Sequence, residues 1–397
     1  MITRKTVLCL GLSQLITWGI SYYLIGGFGP LIQADLHWSQ SAVYGGFALA
    51  LLVMGLASPV AGLAIDRYGG RNTMIVGSVL NALACVGLGL SHSLISYYLW
   101  WACLGAAMRL TLYDAAFAAL ARIGGPRARG PMSQITLFGG LSSTMFWPIG
   151  HTLSEHFGWR NALFAYAALA VVTVPLYFTL PDHRHPCQPN RKADDPDDDP
   201  LAVDKYEVIV ASTLYVVITA LTNFLNAAMS AQMIAILGGL GLAASTSVWI
   251  ATLRGVGQSS ARLLEVVFGR HIRPLTLNLA ATVILLICFI FGAFGGEYSV
   301  AAVAFALLYG IGNGIVTITR GTMPLVLFDH RIYGTFVGKL ITPSFLVSAA
   351  APVIYADIMN RFGYQATFYL SIALAVIATV ASAILRSRFN GRRRDRH

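Results

Sequence analysis

The chain divides at the stretch Gly62-Leu63-Ala64-Ile65-Asp66-Arg67-Tyr68-Gly69-Gly70-Arg71, which separates two long apolar runs. The side chains of Asp66, Arg67 and Arg71 are costly to place in hydrocarbon, so this stretch is predicted to be a tight turn at a membrane surface. Glycine permits the positive φ angles and close helix approach that such a turn requires. The two arginines place the turn on the cytoplasmic side.

The composition is that of a polytopic membrane protein. Of the 397 residues, 56% are hydrophobic and 11% are charged, and the mean hydropathy is +0.67. These values exceed what the core of a water-soluble protein needs. The net charge of +10 is spread over short segments between apolar runs, so we expect no nucleic-acid partner. The five cysteines show no C-x-x-C spacing and predict neither a disulfide framework nor a metal site.

Segments long enough to cross about 30 Å of hydrocarbon predict an all-α membrane protein with twelve transmembrane helices. Lysine and arginine gather on one side of these segments, so both termini are expected in the cytoplasm, at a plasma membrane of the bacterial inner-membrane type. The helices are predicted near residues 6–28, 41–65, 73–91, 95–121, 132–154, 160–180, 206–236, 245–268, 275–295, 298–320, 333–356 and 365–386.

The twelve helices are predicted to form two six-helix bundles related by a pseudo-twofold axis. A polar, aspartate-rich segment at residues 181–204 has almost nothing to bury and is interpreted as a cytoplasmic linker between bundles at 1–180 and 205–397. The halves also repeat weakly, because His156-Phe157-Gly158-Trp159 matches Arg361-Phe362-Gly363-Tyr364. Such an offset is typical of parallel repeats in transporters.

The pattern G-x-x-x-D-R-x-G-x-R, at Gly62, Asp66, Arg67, Gly69 and Arg71, resembles the loop between the second and third helices of the major facilitator superfamily of secondary transporters. The resemblance implies alternating access around a cavity between the bundles. It also implies that this loop is a gate latch rather than a substrate site.

The eighth helix carries a polar stripe. Arg254 lies near mid-membrane, and Gln258, Arg262 and Glu265 follow it on one face. A guanidinium at Arg254 could hold a substrate carboxylate or take part in a structural ion pair. Arg262 and Glu265 are predicted to form a local i, i+3 salt bridge. An arginine on this helix is similar to the monocarboxylate branch of the superfamily.

The fourth helix supplies a second set of candidates. Arg109 shares a face with Tyr113, whereas Asp114 should point some 140° away, so Arg109 and Asp114 are predicted to make separate contacts. Asp114 could carry the coupling proton or pair with another helix, and Glu265 is the second candidate for proton coupling.

Two further groups could line the cavity. Trp18-Gly19 and Tyr22-Tyr23 in the first helix are similar to the corresponding segment of oxalate/formate and monocarboxylate carriers, although the acidic residue of the monocarboxylate motif is absent ahead of Trp18. Trp18 and Tyr22 could bind substrate or only pack. Asn223 in the seventh helix could bind substrate or another helix.

These residues favour a secondary transporter for a small organic anion with proton symport, acting as a monomer without a cofactor. No Ser-His-Asp order, H-E-x-x-H motif or P-loop is present in the sequence, so no catalytic site is predicted. Proton-driven drug export is an alternative, disfavoured because Leu141 follows Gly139-Gly140 where that group has a glycine-proline signature. A non-transporting receptor or scaffold is the alternative of another class.

Overall fold

The computed structural model describes residues 2–124, 128–181, 201–202, 204–268, 272–296, 298–328 and 333–389. The predicted linker therefore lies largely outside the described residues. The helices are α1 (Arg4–Thr17), α2 (Leu24–Leu36), α3 (Gln40–Leu56), α4 (Ser58–Gly89), α5 (Leu94–Thr111), α6 (Tyr113–Gly124), α7 (Arg129–Gly140), α8 (Ser142–Tyr177), α9 (Lys205–Gly239), α10 (Ala244–Phe268), α11 (Pro274–Ala293), α12 (Ser299–Leu327), α13 (Tyr333–Phe362) and α14 (Ala366–Phe389).

These helices lie close to the ranges predicted for membrane spans. In the described ranges nine helices are long and apolar enough to cross a membrane, and the bent pair Gln40–Leu56 and Ser58–Ile65 makes ten. The 48-residue range Gly130–Tyr177 breaks at Gly158 and is long enough for two crossings. Helix α10 is not among these candidates, and it packs against α12 along with α7 and α8. The all-α membrane fold is confirmed.

Three of the four described glycines with positive φ angles make turns in the repeated or charged sequence motifs. Gly69, Gly158 and Gly363 have φ angles of 84°, 79° and 83°, which side chains other than glycine rarely adopt. Gly69 thus provides the positive φ predicted for the charged turn after Ile65. Gly158 and Gly363 occupy equivalent places in the repeated His-Phe-Gly-Trp and Arg-Phe-Gly-Tyr sequences, so the two halves share a backbone turn as well as a sequence pattern.

The fourth span is broken, although the sequence predicts one helix over residues 95–121. Helix α5 ends at Thr111, Leu112 is extended with ψ −174°, and α6 begins at Tyr113. The break frees carbonyl groups inside the membrane, where no water can satisfy them. Gln14 on α1 donates its Nε2 to the Thr111 carbonyl at 2.7 Å, which offsets that cost.

The two halves, residues 4–181 and 201–389, face each other through pairs of helices. Helix α3 packs against α13, α2 against α9, and α10 against both α7 and α8. The Thr144 hydroxyl donates to the Thr252 carbonyl at 2.8 Å, and the Ser259 hydroxyl donates to the Leu137 carbonyl at 3.3 Å. These contacts surround a space between the halves.

Close helix packing yields a first prediction. A Cβ added at Gly310 on α12 would overlap the carbonyl oxygen of Arg254 on α10, and backbone cannot move aside cheaply. We expect Gly310→Ala to destabilise the protein by about 1 to 3 kcal/mol and to lower its melting temperature in detergent. Gly321→Ala on the same helix is the matched control, because its Cβ would meet nothing within 4 Å. Equal melting temperatures for both variants would contradict this packing.

Candidate functional site

A small cavity of about 30 Å³ lies between the two halves. Four of the seven predicted substrate residues line it: Trp18, Tyr113, Asn223 and Gln258. The remaining lining residues are Tyr23 and Gly139 from the amino-terminal half and Asn226, Arg262, Asn313, Val316, Thr317 and Arg320 from the carboxyl-terminal half.

The first span presents its aromatic residues through a π-helical turn at Trp18–Tyr22. The backbone N–H of Tyr23 donates to the Trp18 carbonyl at 3.0 Å, an i to i+5 bond. This wider turn places Trp18 and Tyr23 on the same face, with ring centroids 6.0 Å apart. In a regular α-helix those two residues would point about 140° apart. Tyr22 is buried beside them and accepts a hydrogen bond from Asn226 at 3.2 Å.

Arg262 is the best-placed cation in the cavity. Its side chain is only 1% exposed. The Nη1 atom donates to the Tyr113 hydroxyl at 3.1 Å and to the Thr136 carbonyl, both in the opposite half. Among the described residues, its Nε and Nη2 atoms have no hydrogen-bond partner. Those two N–H groups form one edge of the guanidinium plane, the edge that binds both oxygens of a carboxylate.

The predicted local salt bridge between Arg262 and Glu265 is wrong. Arg262 turns across the cavity to Tyr113 and Thr136, which lie more than 120 residues away in sequence. Glu265 is half-buried on α10 and does not line the cavity. Helical spacing alone could not anticipate this, because the competing partners belong to the other half of the chain.

A second cation, Arg320 on α12, lines the cavity and was not predicted. Its Nη1 donates to Asn223 Oδ1 at 2.9 Å, and Asn223 donates to the Ser344 hydroxyl at 2.9 Å. The sequence prediction ended this helix at residue 320, whereas α12 continues to Leu327. The sequence does contain a pattern that could have identified Arg320. Asn313, Thr317 and Arg320 are spaced at i, i+4 and i+7 and form a polar stripe like the one on α10.

Arg254, the predicted substrate anchor, lies behind the cavity rather than on its wall. It is fully buried, and its Nη2 donates to Asn226 Oδ1 at 2.6 Å. Its guanidinium carbon lies 5.2 Å from the ring centroid of Tyr23 and 5.0 Å from that of Tyr309. These cation–π contacts partly compensate for the absence of a carboxylate partner among the described residues. Arg254 therefore supports Asn226, which does line the cavity.

Arg109 and Asp114 form a salt bridge at 2.6 Å, so the prediction of separate contacts is wrong. The 140° estimate assumed a continuous helix, and the extended residue Leu112 between them turns Asp114 back toward Arg109. Neither residue lines the cavity. The Asp114 side chain is 37% exposed. Arg109 thus pairs with the candidate proton carrier, and its role as a substrate residue stays a prediction.

The charged turn is held within its own half. Arg71 donates through Nε and Nη2 to the Leu180 carbonyl at the end of the sixth span. Arg67 is exposed, with its guanidinium carbon 5.3 Å from the Tyr68 ring centroid, and Gly62 has open space around it. The Asp66 side chain lies outside the described part of the structure. The latch role of this turn stays a prediction.

Comparison with known proteins agrees with this architecture. The family model for the Major Facilitator Superfamily matches residues 10–352. The chain belongs to the Major Facilitator Superfamily. Members of this family are transporters rather than enzymes, so the chain is an integral membrane transporter.

Individual relatives match this chain at low sequence identity or over only part of its length. This superfamily member is 32% identical to monocarboxylate transporter 11 of Mus musculus and 31% identical to that of Homo sapiens, each over 161 residues and 40% of this chain. The match spans about a third of either relative, 36% and 34%. The crystal structure of a variant of the nucleoside transporter NupG superposes with a TM-score of 0.74, covering 96% of this chain and 98% of that one. At 13% identity, this likeness shows the fold alone.

Proposed function

We propose that this superfamily transporter carries small, monocarboxylate-like organic anions by alternating access, with Arg262 as the carboxylate anchor and with proton symport. The free Nε and Nη2 edge of Arg262, buried at the cavity wall, is the observation that carries the proposal. A buried guanidinium that meets only neutral groups costs free energy, and an anion that binds it relieves that cost.

The charge of the cavity supports an anionic substrate. Arg262 and Arg320 both line it, and no aspartate or glutamate is found among its described lining residues. Amide side chains of Asn223, Asn226 and Gln258 add neutral hydrogen-bonding groups without cancelling the positive charge. The local similarity to monocarboxylate transporter 11 points in the same direction.

Alternating access would move residues 1–180 against residues 205–397 around this cavity. In this proposal the charged turn at Asp66 biases which side is open, both termini lie in the cytoplasm, and the protein acts as a monomer. The excess of arginine and lysine on one side supports that orientation.

Proton coupling is proposed through Asp114, with Glu265 as the second candidate. Asp114 directly follows the cavity residue Tyr113, and its partly exposed carboxylate is neutralised by Arg109. Adding a proton to Asp114 would release Arg109. A proton that moves with a monoanion also keeps the transported charge at zero, which removes the electrical cost of crossing the membrane.

Uptake into proteoliposomes tests the proposal. We expect labelled monocarboxylates, and not a labelled choline control, to accumulate when the external pH is one unit below the internal pH. Each pH unit sets an accumulation limit of about tenfold for one proton per anion. Collapse of the pH gradient should bring internal and external concentrations level. If no carboxylate enters faster than into protein-free liposomes, the proposed function is wrong.

A further inference from the structure

The two walls of the cavity differ in chemistry, and the difference follows the two halves of the chain. The amino-terminal half contributes Trp18, Tyr23 and Tyr113, here called the aromatic shelf. The carboxyl-terminal half contributes both arginines and the amide groups. A bound molecule therefore meets flat carbon rings on one side and hydrogen-bond donors with positive charge on the other.

The aromatic shelf is a built surface. Trp18 stands at its centre, with ring centroids 4.9 Å from Tyr113 and 6.0 Å from Tyr23. Tyr113 is stacked from behind on Phe117, with centroids 5.5 Å apart and planes 12° apart. The π-helical turn is what brings Tyr23 onto this face. Departures from α-helical geometry of this kind are frequent at functional sites.

Two polar groups of cavity-lining residues are buried without partners among the described residues. Trp18 Nε1 is buried without a hydrogen-bond partner among the described residues. The Arg262 guanidinium carbon lies 5.7 Å from the Tyr113 ring centroid, so the guanidinium group and the aromatic shelf adjoin. Gln258 Oε1 on the opposite wall is likewise buried and unpaired. A carboxylate held by Arg262 would thus have its attached carbon skeleton beside Tyr113 and Trp18.

We propose that the substrate is an arylcarboxylate, a carboxylate joined through a short link to an aromatic ring. This inference rests on the proposed function and narrows its substrate class. The carboxylate binds the Nε and Nη2 edge of Arg262, and the ring lies on the aromatic shelf. A short aliphatic acid such as acetate fills only the cationic side and leaves the shelf without a partner. Because the two walls belong to different halves, an arylcarboxylate also joins the halves across the cavity.

Three labelled acids test the inference in proteoliposomes. Phenylacetate and cyclohexylacetate have the same carbon count and the same carboxylate, but only phenylacetate has an aromatic face. Acetate has neither ring. We expect the KM of phenylacetate to be about 3- to 10-fold below that of cyclohexylacetate, since ring pairs add binding beyond buried area, and further below that of acetate.

Variants connect the selectivity to the shelf. Trp18→Leu should remove most of the preference for phenylacetate over cyclohexylacetate, measured as the ratio of their KM values. Trp249→Leu is the matched control, because Trp249 lies on α10 with 66% of its surface exposed, and it should leave all three KM values unchanged.

The outcomes separate the two proposals. If acetate, cyclohexylacetate and phenylacetate have equal KM values, or if Trp18→Leu keeps the preference, the arylcarboxylate inference is wrong and anion transport stands. If none of the three acids is transported, the proposed function fails and this inference fails with it.

Discussion

Arg262→Gln should lower kcat/KM for carboxylate uptake by roughly 30- to 700-fold, which corresponds to about 2 to 4 kcal/mol for losing one partner of a buried charge pair. Glutamine keeps a polar group near Tyr113 but removes the two-donor edge and the charge. Arg262→Lys should fall between glutamine and the wild type, because lysine retains the charge without the planar fork. Initial uptake rates in proteoliposomes of equal protein content measure the effect.

Two controls make this result specific. Arg361→Gln removes an arginine that is 69% exposed and paired with Asp357, so uptake should stay near the wild-type rate. Arg254→Gln should reduce uptake less than Arg262→Gln does, since Arg254 acts through Asn226. If Arg254→Gln abolishes uptake and Arg262→Gln does not, the carboxylate anchor is Arg254, as the sequence predicted.

Asp114→Asn should abolish proton-driven accumulation and leave exchange intact. Asparagine matches the shape of aspartate but cannot alternate between charged and protonated forms. A one-unit pH gradient should therefore give a concentration ratio near one instead of about ten. Exchange of labelled internal anion for unlabelled external anion needs no net proton movement and should proceed within about threefold of the wild-type rate.

The matched control for this substitution is Asp357→Asn. Asp357 also pairs with an arginine, Arg361 at 2.8 Å, but on an exposed helix end away from the cavity. The Asp357→Asn variant should accumulate substrate to the wild-type level. If Asp114→Asn still accumulates substrate and Glu265→Gln does not, coupling belongs to the eighth span. If both variants accumulate substrate, the proton travels on the substrate itself.

Much of the fold could be predicted because its signals are local. Span length, basic turns and Gly69 are visible within short windows of sequence, and the positive φ of Gly69 follows from its place between two helices. The break at Leu112 could not be predicted. It contains neither proline nor glycine, and the group that satisfies the freed carbonyl, Gln14, lies 97 residues away.

The site was less predictable than the fold, since its contacts cross between the halves. Helical spacing correctly grouped Gln258 with Arg262, and both line the cavity. It assigned the anchor to Arg254 because depth in the membrane was the only available criterion. Tyr113 and Thr136 decide the orientation of Arg262, and neither has any sequence signal that connects it to α10.

The π-helical turn at Trp18–Tyr22 has an evolutionary consequence. Such a turn holds one more residue than the equivalent α-helical path, so a single-codon deletion inside it would restore a regular helix and leave residues 24–36 in place relative to α1. Gly26, whose added Cβ would lie 2.5 Å from the Ser230 carbonyl of the other half, would keep that contact, whereas Trp18 and Tyr23 would lose the common face that the π-helical turn gives them. A lineage could thus exchange one cargo preference for another in one mutational event, without altering any residue that binds the anion.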